Sequence, residues 1–192
     1  MEYDQIIVTL DYECDSKILL QTKNENKFLE IIKNWCGYNK LELLYRGTRD
    51  GTSSKIFHDK CDNQGPTITL YRNDKGYIFG GYSSISWENK GDYKKDKNCF
   101  IFTLYNIHNT EPCKFPIKSE NEGVFHRIDR GPTFGSCCDI TIIEDFKKDD
   151  FRTDFPCRYK DILGKGRSIF TGDYNNDNNK IKIDEIEVFK LM

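Results

Sequence analysis

Residues 65–87, GPTITLYRNDKGYIFGGYSSISW, constrain the fold more than any other stretch of this chain. Ile68 and Leu70 alternate with Thr67, Thr69 and Tyr71, the period of two that marks a strand with one buried face. Asn73-Asp74-Lys75-Gly76 supplies turn chemistry, since Asn and Asp bond their own backbone and Gly accepts positive φ. Tyr77, Ile78 and Phe79 resume the strand. Gly80-Gly81 brings no side chain to pack, so it predicts either a bulge or a close backbone approach. The segment is a β scaffold, and it carries no catalytic constellation.

The rest of the chain extends that reading. Leu41 to Tyr45 (LELLY), residues 100–105 (FIFTLY) and the run around Ile181, Ile183, Ile186 and Val188 read as strands, with shorter pieces at 6–10, 18–20, 113–117, 124–128 and 139–143. FIFTLY is apolar at nearly every position, which suits a strand covered on both faces. One clear helix spans 27–35, where Phe28, Ile31, Ile32 and Trp35 recur at helical spacing, with Asn24 or Asn26 as its cap and Gly37 as its stop. A second, shorter helix is expected over 52–60, capped by Asp50 or Thr52. Residues 46–51 read as a break, 131–135 as a turn-rich joint, and 88–98 and 144–154 as polar loops. Many short strands with helices near the N-terminus predict a mainly β fold, a two-sheet antiparallel β-sandwich with flanking helices. At 192 residues, with no Pro/Gly/Ser-rich linker, the chain reads as one domain over residues 26–192, to which segment 1–25 is added.

Bulk chemistry narrows the function classes. The hydrophobic share is only 37%, but 13 Phe and 11 Tyr provide large apolar surfaces and argue against disorder. The formal net charge is -2, from 29 basic and 31 acidic side chains, without the basic excess of a nucleic-acid binder. Lys94-Lys95 and Lys147-Lys148 sit among aspartates and read as mixed-charge surface. No apolar run reaches the roughly 20 residues that span a bilayer. Met1-Glu2-Tyr3-Asp4 is acidic where a signal peptide would be basic, so a cytoplasmic protein is expected. That setting weakens a disulfide framework for the eight cysteines, which read instead as small buried hydrophobes.

Candidate sites can be weighed residue by residue. Asp173, Asn175, Asp177 and Asn179 alternate, and Asp184 holds the twelfth place of a loop starting at Asp173, as oxygen ligands do in calcium loops. Asn178 occupies the place of the turn glycine, and the flanks read as strands, so a polar hairpin loop competes with a calcium or magnesium site. Among the cysteines there is no C-x-x-C, and the adjacent Cys137 and Cys138 point to opposite faces of a strand. Cys61, after the second helix, is the candidate reactive thiol, with His58 three residues earlier on the same helical face. His126 lies near Asp129 without a matched nucleophile. Gly164-Lys165-Gly166-Arg167-Ser168 resembles a phosphate loop in composition alone, because the motif's first glycine is missing. In Glu185-Ile186-Glu187-Val188-Phe189 the two glutamates share a face with Phe189. Glu187 is expected near the surface with a structural or binding role, and Glu185 as a solvated carboxylate.

Taken in order, LELLYRGTRDGTSSKIFHDKC, GPTITLYRNDKGYIFGGYSSISW, FIFTLY, PTFGSCCDITI and IDEIEVFKL resemble the TLDc domain family. Leu44-Tyr45, Asp50-Gly51, Ile56-Phe57, Gly65-Pro66-Thr67, Phe79-Gly80-Gly81-Tyr82, Trp87, residues 100–104, Phe134-Gly135, Asp139-Ile140 and Glu187-Val188-Phe189 carry the resemblance, from Leu41 to Leu191. The chain departs from the pattern at Ser136-Cys137-Cys138, where many members carry another glycine. The resemblance implies a β-sandwich flanked by helices, a link to oxidative-stress resistance and, in several members, binding and regulation of the V-type proton ATPase. It brings no agreed catalytic mechanism. The expectation is therefore a non-enzymatic protein-interaction domain with V-type ATPase as partner and no cofactor. Arg46, Arg49, Gly80, Gly81 and Glu187 are its partner-binding candidates. The alternatives are a thiol-dependent antioxidant enzyme and a divalent-ion-binding β-domain.

Overall fold

The structure is a computed structural model that describes residues 14–148, 151–172 and 180–192. Its helices are α1 (Lys17–Leu20), α2 (Glu25–Cys36), α3 (Gly47–Asp50), α4 (Ser54–Cys61) and α5 (Ser168–Thr171). Its strands are β1 (Leu41–Arg46), β2 (Thr67–Asn73), β3 (Ile78–Ser83), β4 (Tyr93–Lys94), β5 (Phe100–Tyr105), β6 (Cys113–Pro116), β7 (Val124–Phe125), β8 (Thr141–Ile142), β9 (Phe151–Arg152), β10 (Lys180–Ile181) and β11 (Ile183–Leu191). Six of them form one antiparallel sheet in the order β1-β11-β2-β3-β5-β6. The C-terminal strand thus inserts between β1 and β2, pairing Phe189 with Leu43 on one side and with Ile68 on the other.

Both faces of this sheet are covered. On one face α1 and α2 lay Ile18, Leu19, Phe28, Leu29 and Ile32 over Ile68, Leu70, Ile78, Phe102, Phe189 and Leu191. On the other, α4, α5 and the C-terminal loops bring Phe57, Trp87, Phe134, Phe146, Phe151 and Phe170 against Tyr45, Tyr71, Phe79, Ile186 and Val188. This double cover is why Phe100–Tyr105 tolerates apolar residues at nearly every position: only Tyr105 is exposed.

The expected two-sheet sandwich is corrected. Among the described residues three sheets are present: the six-stranded one, a three-stranded β10-β9-β8 and a two-stranded β4-β7. The strands of the two smaller sheets are two residues long each, too short to build a second full layer. Aromatic rings fill that face instead. Phe146 and Phe151, which fall in the stretch 144–154 expected to be a polar loop, are fully buried, and Phe151 packs edge-on against Tyr71 and Phe79.

Local differences have local causes. Residues 18–20 form a helical turn rather than a strand, because Ser16 Oγ accepts the Leu19 N–H and starts α1. At α2 the Asn24 side chain makes no capping bond, although its carbonyl accepts the Phe28 N–H, and Gly37 ends the helix in the left-handed conformation as expected. The cap of α4 is Ser53 rather than Asp50 or Thr52, since Asp50 is committed to the Arg46 N–H. Residues 6–10 lie outside the described residues.

Candidate functional site

Two carboxylates on β11 are each held by several hydrogen-bond donors. Glu185 and Glu187 both have fully buried side chains. Strand alternation puts them on the face of Phe189 and Leu191, and that face is roofed by α1 rather than open to water. The Glu187 carboxylate accepts Arg46 Nε at 2.7 Å, Ser16 Oγ at 2.6 Å, Lys17 N at 2.9 Å and Ile18 N at 3.4 Å. It therefore caps the start of α1 from another element, meeting the free N–H groups that every helix start leaves. Glu185 does the same for α3: it accepts Thr48 N at 3.0 Å, the Thr48 hydroxyl, and Lys17 Nζ at 3.3 Å.

An unpaired buried carboxylate would be costly, so donors from α1, β1 and α3 converge on this pair. Arg46 closes the ring by reaching Asp15 as well, its Nη2 lying 3.1 Å from Asp15 Oδ1. Burial works against the charge of Arg46, but hydrogen bonds to Glu187 and Asp15 outweigh it and raise its pKa. Beside it, Arg49 forks onto Asp50 and holds that carboxyl down to about 2. The outcome is a charged rim of Asp15, Lys17 and Arg49 above a buried ionic base. Glu185 was expected to be solvated; it is as buried as Glu187, and the surface placement of Glu187 is likewise corrected. The sequence held a signal for this, since both share a face with Phe189 and Leu191.

The other predicted site residues disperse. Gly80 and Gly81 lie buried inside the sheet. A side chain at Gly80 would collide with the Thr69 carbonyl and the Phe102 ring, and one at Gly81 with the Phe134 ring. They are close-approach positions, which corrects their reading as partner contacts; the β-irregularity of this strand falls between Ile78 and Phe79. Asp173, Asn175 and Asp177 lie outside the described residues. Asp184 is taken by the Arg72 guanidinium. Among the described residues no group of three or more metal-ligating side chains occurs.

The thiols and imidazoles are placed differently from expectation. Cys61 is fully buried, not partly exposed, and burial pushes its thiol far up, the reverse of a reactive cysteine. His58 turns away from it: Nδ1 meets Asp62 at 2.8 Å, and Nε2 meets the carbonyls of Arg127 and Arg130 at 2.8 and 3.0 Å. His126 packs against Trp87, neither of its ring nitrogens has a hydrogen-bond partner among the described residues, and burial lowers its pKa to about 4. His108 Nε2 lies 2.8 Å from Ser168 Oγ, but that hydroxyl donates to the Lys165 carbonyl at 2.6 Å. The imidazole is then the donor, the opposite polarity from a general base. The residues 164–168 form a turn whose Gly166 N–H is held by Asp161, not a phosphate cradle. Cysteines 137 and 157 form a disulfide, correcting the reading of both as isolated hydrophobes.

Sequence reasoning also missed Asp139. It is fully buried and accepts the N–H groups of Cys157, Arg158 and Tyr159 at 2.7, 2.9 and 3.4 Å. Burial raises its pKa to about 6 against the opposing pull of those bonds. No sequence spacing links residue 139 to 157–159.

MTOR-associated protein MEAK7 of Danio rerio is 40% identical over 63 residues, 33% of this chain and 14% of that protein. Interferon-induced protein 44 of Homo sapiens is 38% identical over 65 residues, again 33% and 14%. Human MEAK7 is 29% identical over 70 residues, 36% and 14%. Each match thus spans about a seventh of the relative's own length. The TLDc domain model matches residues 14–192, the span of the structure just described, and the chain therefore belongs to the TLDc domain family.

Proposed function

We propose that this chain is a protein-interaction domain that works without catalysis, and that it binds or regulates the V-type proton ATPase in oxidative-stress resistance. The observation that carries the reading is the clamp at Glu185 and Glu187. These two buried charges are spent internally, holding α1 and α3 in place, and the chemistry beside them on the outside is a charged rim. A rim on a rigid base presents side chains to a partner at little ordering cost. Arg49, 45% exposed at its side chain, and Lys17, 44% exposed, are the contacts of this rim, with Arg46 setting their base.

Purified domain and its Arg49→Glu variant, used as bait in cell lysate, test the reading. Recovery of V-type ATPase subunits by the parent domain, lost in the variant while its unfolding midpoint is retained, supports it. Recovery of no subunit under conditions where another family member succeeds removes the partner. The name of the Danio rerio relative makes mTOR a second protein to probe in the same eluates.

A further inference from the structure

A disulfide joins the loop after Phe134 to the segment 155–159. Cys137 and Cys157 are bonded across 20 residues of sequence, and Cys138 follows directly. Both bonded cysteines are half-buried residues, as are the free Cys36, Cys113 and Cys138, whereas Cys14, Cys61 and Cys99 are buried.

The two loops are held together by more than the bond. Asp139 accepts the N–H groups of Cys157, Arg158 and Tyr159. Thr153 Oγ1 donates to the Asp139 carbonyl at 2.5 Å, Asp154 N to the Cys138 carbonyl at 3.0 Å, and Arg158 Nε to Ser136 Oγ at 2.7 Å. Phe155 and Tyr159 anchor the same segment in the core. These contacts keep the two sulfurs within reach of each other after reduction, so re-forming the bond is an intramolecular step. Cys138 is kept out of it. Its sulfur faces Arg130 Nη1 at 3.7 Å, and burial raises its thiol pKa, which leaves it a poor nucleophile.

We propose that Cys137 and Cys157 are a reversible oxidation site, cycled by hydroperoxides in one direction and by dithiol reductants in the other. In the oxidising direction one thiolate of the pair attacks the peroxide oxygen. The O–O bond breaks, an alcohol or water leaves, and a sulfenic acid remains. The second thiol displaces its hydroxyl as water, and the S–S bond forms. In the reducing direction a dithiol gives two electrons and two protons through a mixed disulfide and is itself left oxidised. The proposal goes beyond the interaction reading, and its test does not use the partner.

The test is differential alkylation of the folded chain read by peptide mass spectrometry, with circular dichroism on every sample. After a mild dithiol in native buffer, iodoacetamide should label Cys137 and Cys157 while Cys61 stays unlabelled and the spectrum is unchanged. Hydrogen peroxide should then abolish both labels, with a mass loss of two hydrogens. Cys157→Ser should stop at a sulfenic acid on Cys137 that dimedone traps; if that variant does not fold, Cys137→Ser should give the same product on Cys157. Reduction that requires denaturant overturns the proposal, because the bond is then structural. Thiols that peroxide does not join also overturn it, as does a disulfide that includes Cys138.

Discussion

Replacing Glu187 by Gln preserves shape and removes one charge, and the geometry sets what that costs. All four contacts to this carboxylate come from donors: Arg46 Nε and Lys17 N on one oxygen, Ser16 Oγ and Ile18 N on the other. An amide has only one oxygen. Whichever way the substituted amide is turned, its NH2 faces at least one backbone N–H, and the Arg46 guanidinium loses its buried counter-charge. Removing one partner of a buried pair costs about 3–5 kcal/mol. Arg46 keeps Asp15, whose side chain is 67% exposed, so the lower end, about 3 kcal/mol, is expected. At Glu185 the loss is smaller. The amide oxygen can keep the Thr48 N–H, the NH2 can donate to the Thr48 hydroxyl, and Lys17 can turn to water. About 1.5 kcal/mol is expected there, the low end of the net worth of a hydrogen bond to a charged group. Urea unfolding of both variants reads the difference, with the m-value compared to confirm that the unfolded reference is unchanged. A loss below about 1 kcal/mol at Glu187, the scale of an ordinary surface change, would refute the clamp, as would a larger loss at Glu185 than at Glu187.

Other consequences can be checked directly. Burial sets opposite pH dependences at His126 and Asp139. His126, lowered to about 4, is protonated first in the unfolded chain, so its contribution is intact above about 6.5 and is lost as pH falls towards 4. Asp139, raised to about 6, is protonated first in the folded chain, so stability rises as pH falls through 6 towards 3.8. At about 1.4 kcal/mol per tenfold change in proton affinity, each contributes on the order of 3 kcal/mol, and the two largely cancel. Asp139→Asn should expose a steeper acid loss in melts between pH 6.5 and 4, and His126→Gln should shallow it; parallel pH profiles for both variants and the parent would contradict this. Gly81→Ala drives a methyl into the Phe134 ring and should cost about 1–3 kcal/mol or more in urea unfolding, whereas an unchanged midpoint would show that the sheet can yield there. Cys61 should react with a disulfide reagent far more slowly than a free thiol in the native chain and at the free rate in denaturant, and fast native labelling would return it to the reactive class.

Much of the strand and helix layout was legible in the residues themselves, because it depends on local rules. Period-two alternation located β2 and the start of β3, continuous apolarity located β5 as a doubly covered strand, and the 3.6-residue spacing of Phe28, Ile31, Ile32 and Trp35 located α2. The ordered family motifs depend on the same local patterns, which is why the TLDc membership was visible before any coordinates. What sequence could not decide is which surfaces meet. The face carrying Glu185 and Glu187 was identifiable, but whether water or a helix lay above it depended on α1, whose four residues are held by Ser16 and the Glu187 carboxylate. The reach of Phe134 to Gly81, of Asp139 to the N–H groups of 157–159, and of Cys137 to Cys157 spans tens of residues of chain with no spacing rule to announce it. Polar residues in a sequence carry no record of their partners, and burial reverses the meaning of a charge or a thiol. Local physics therefore determined the elements and the family, and only tertiary packing decided that the carboxylates are clamps, that Cys61 is buried and that Cys137 meets Cys157.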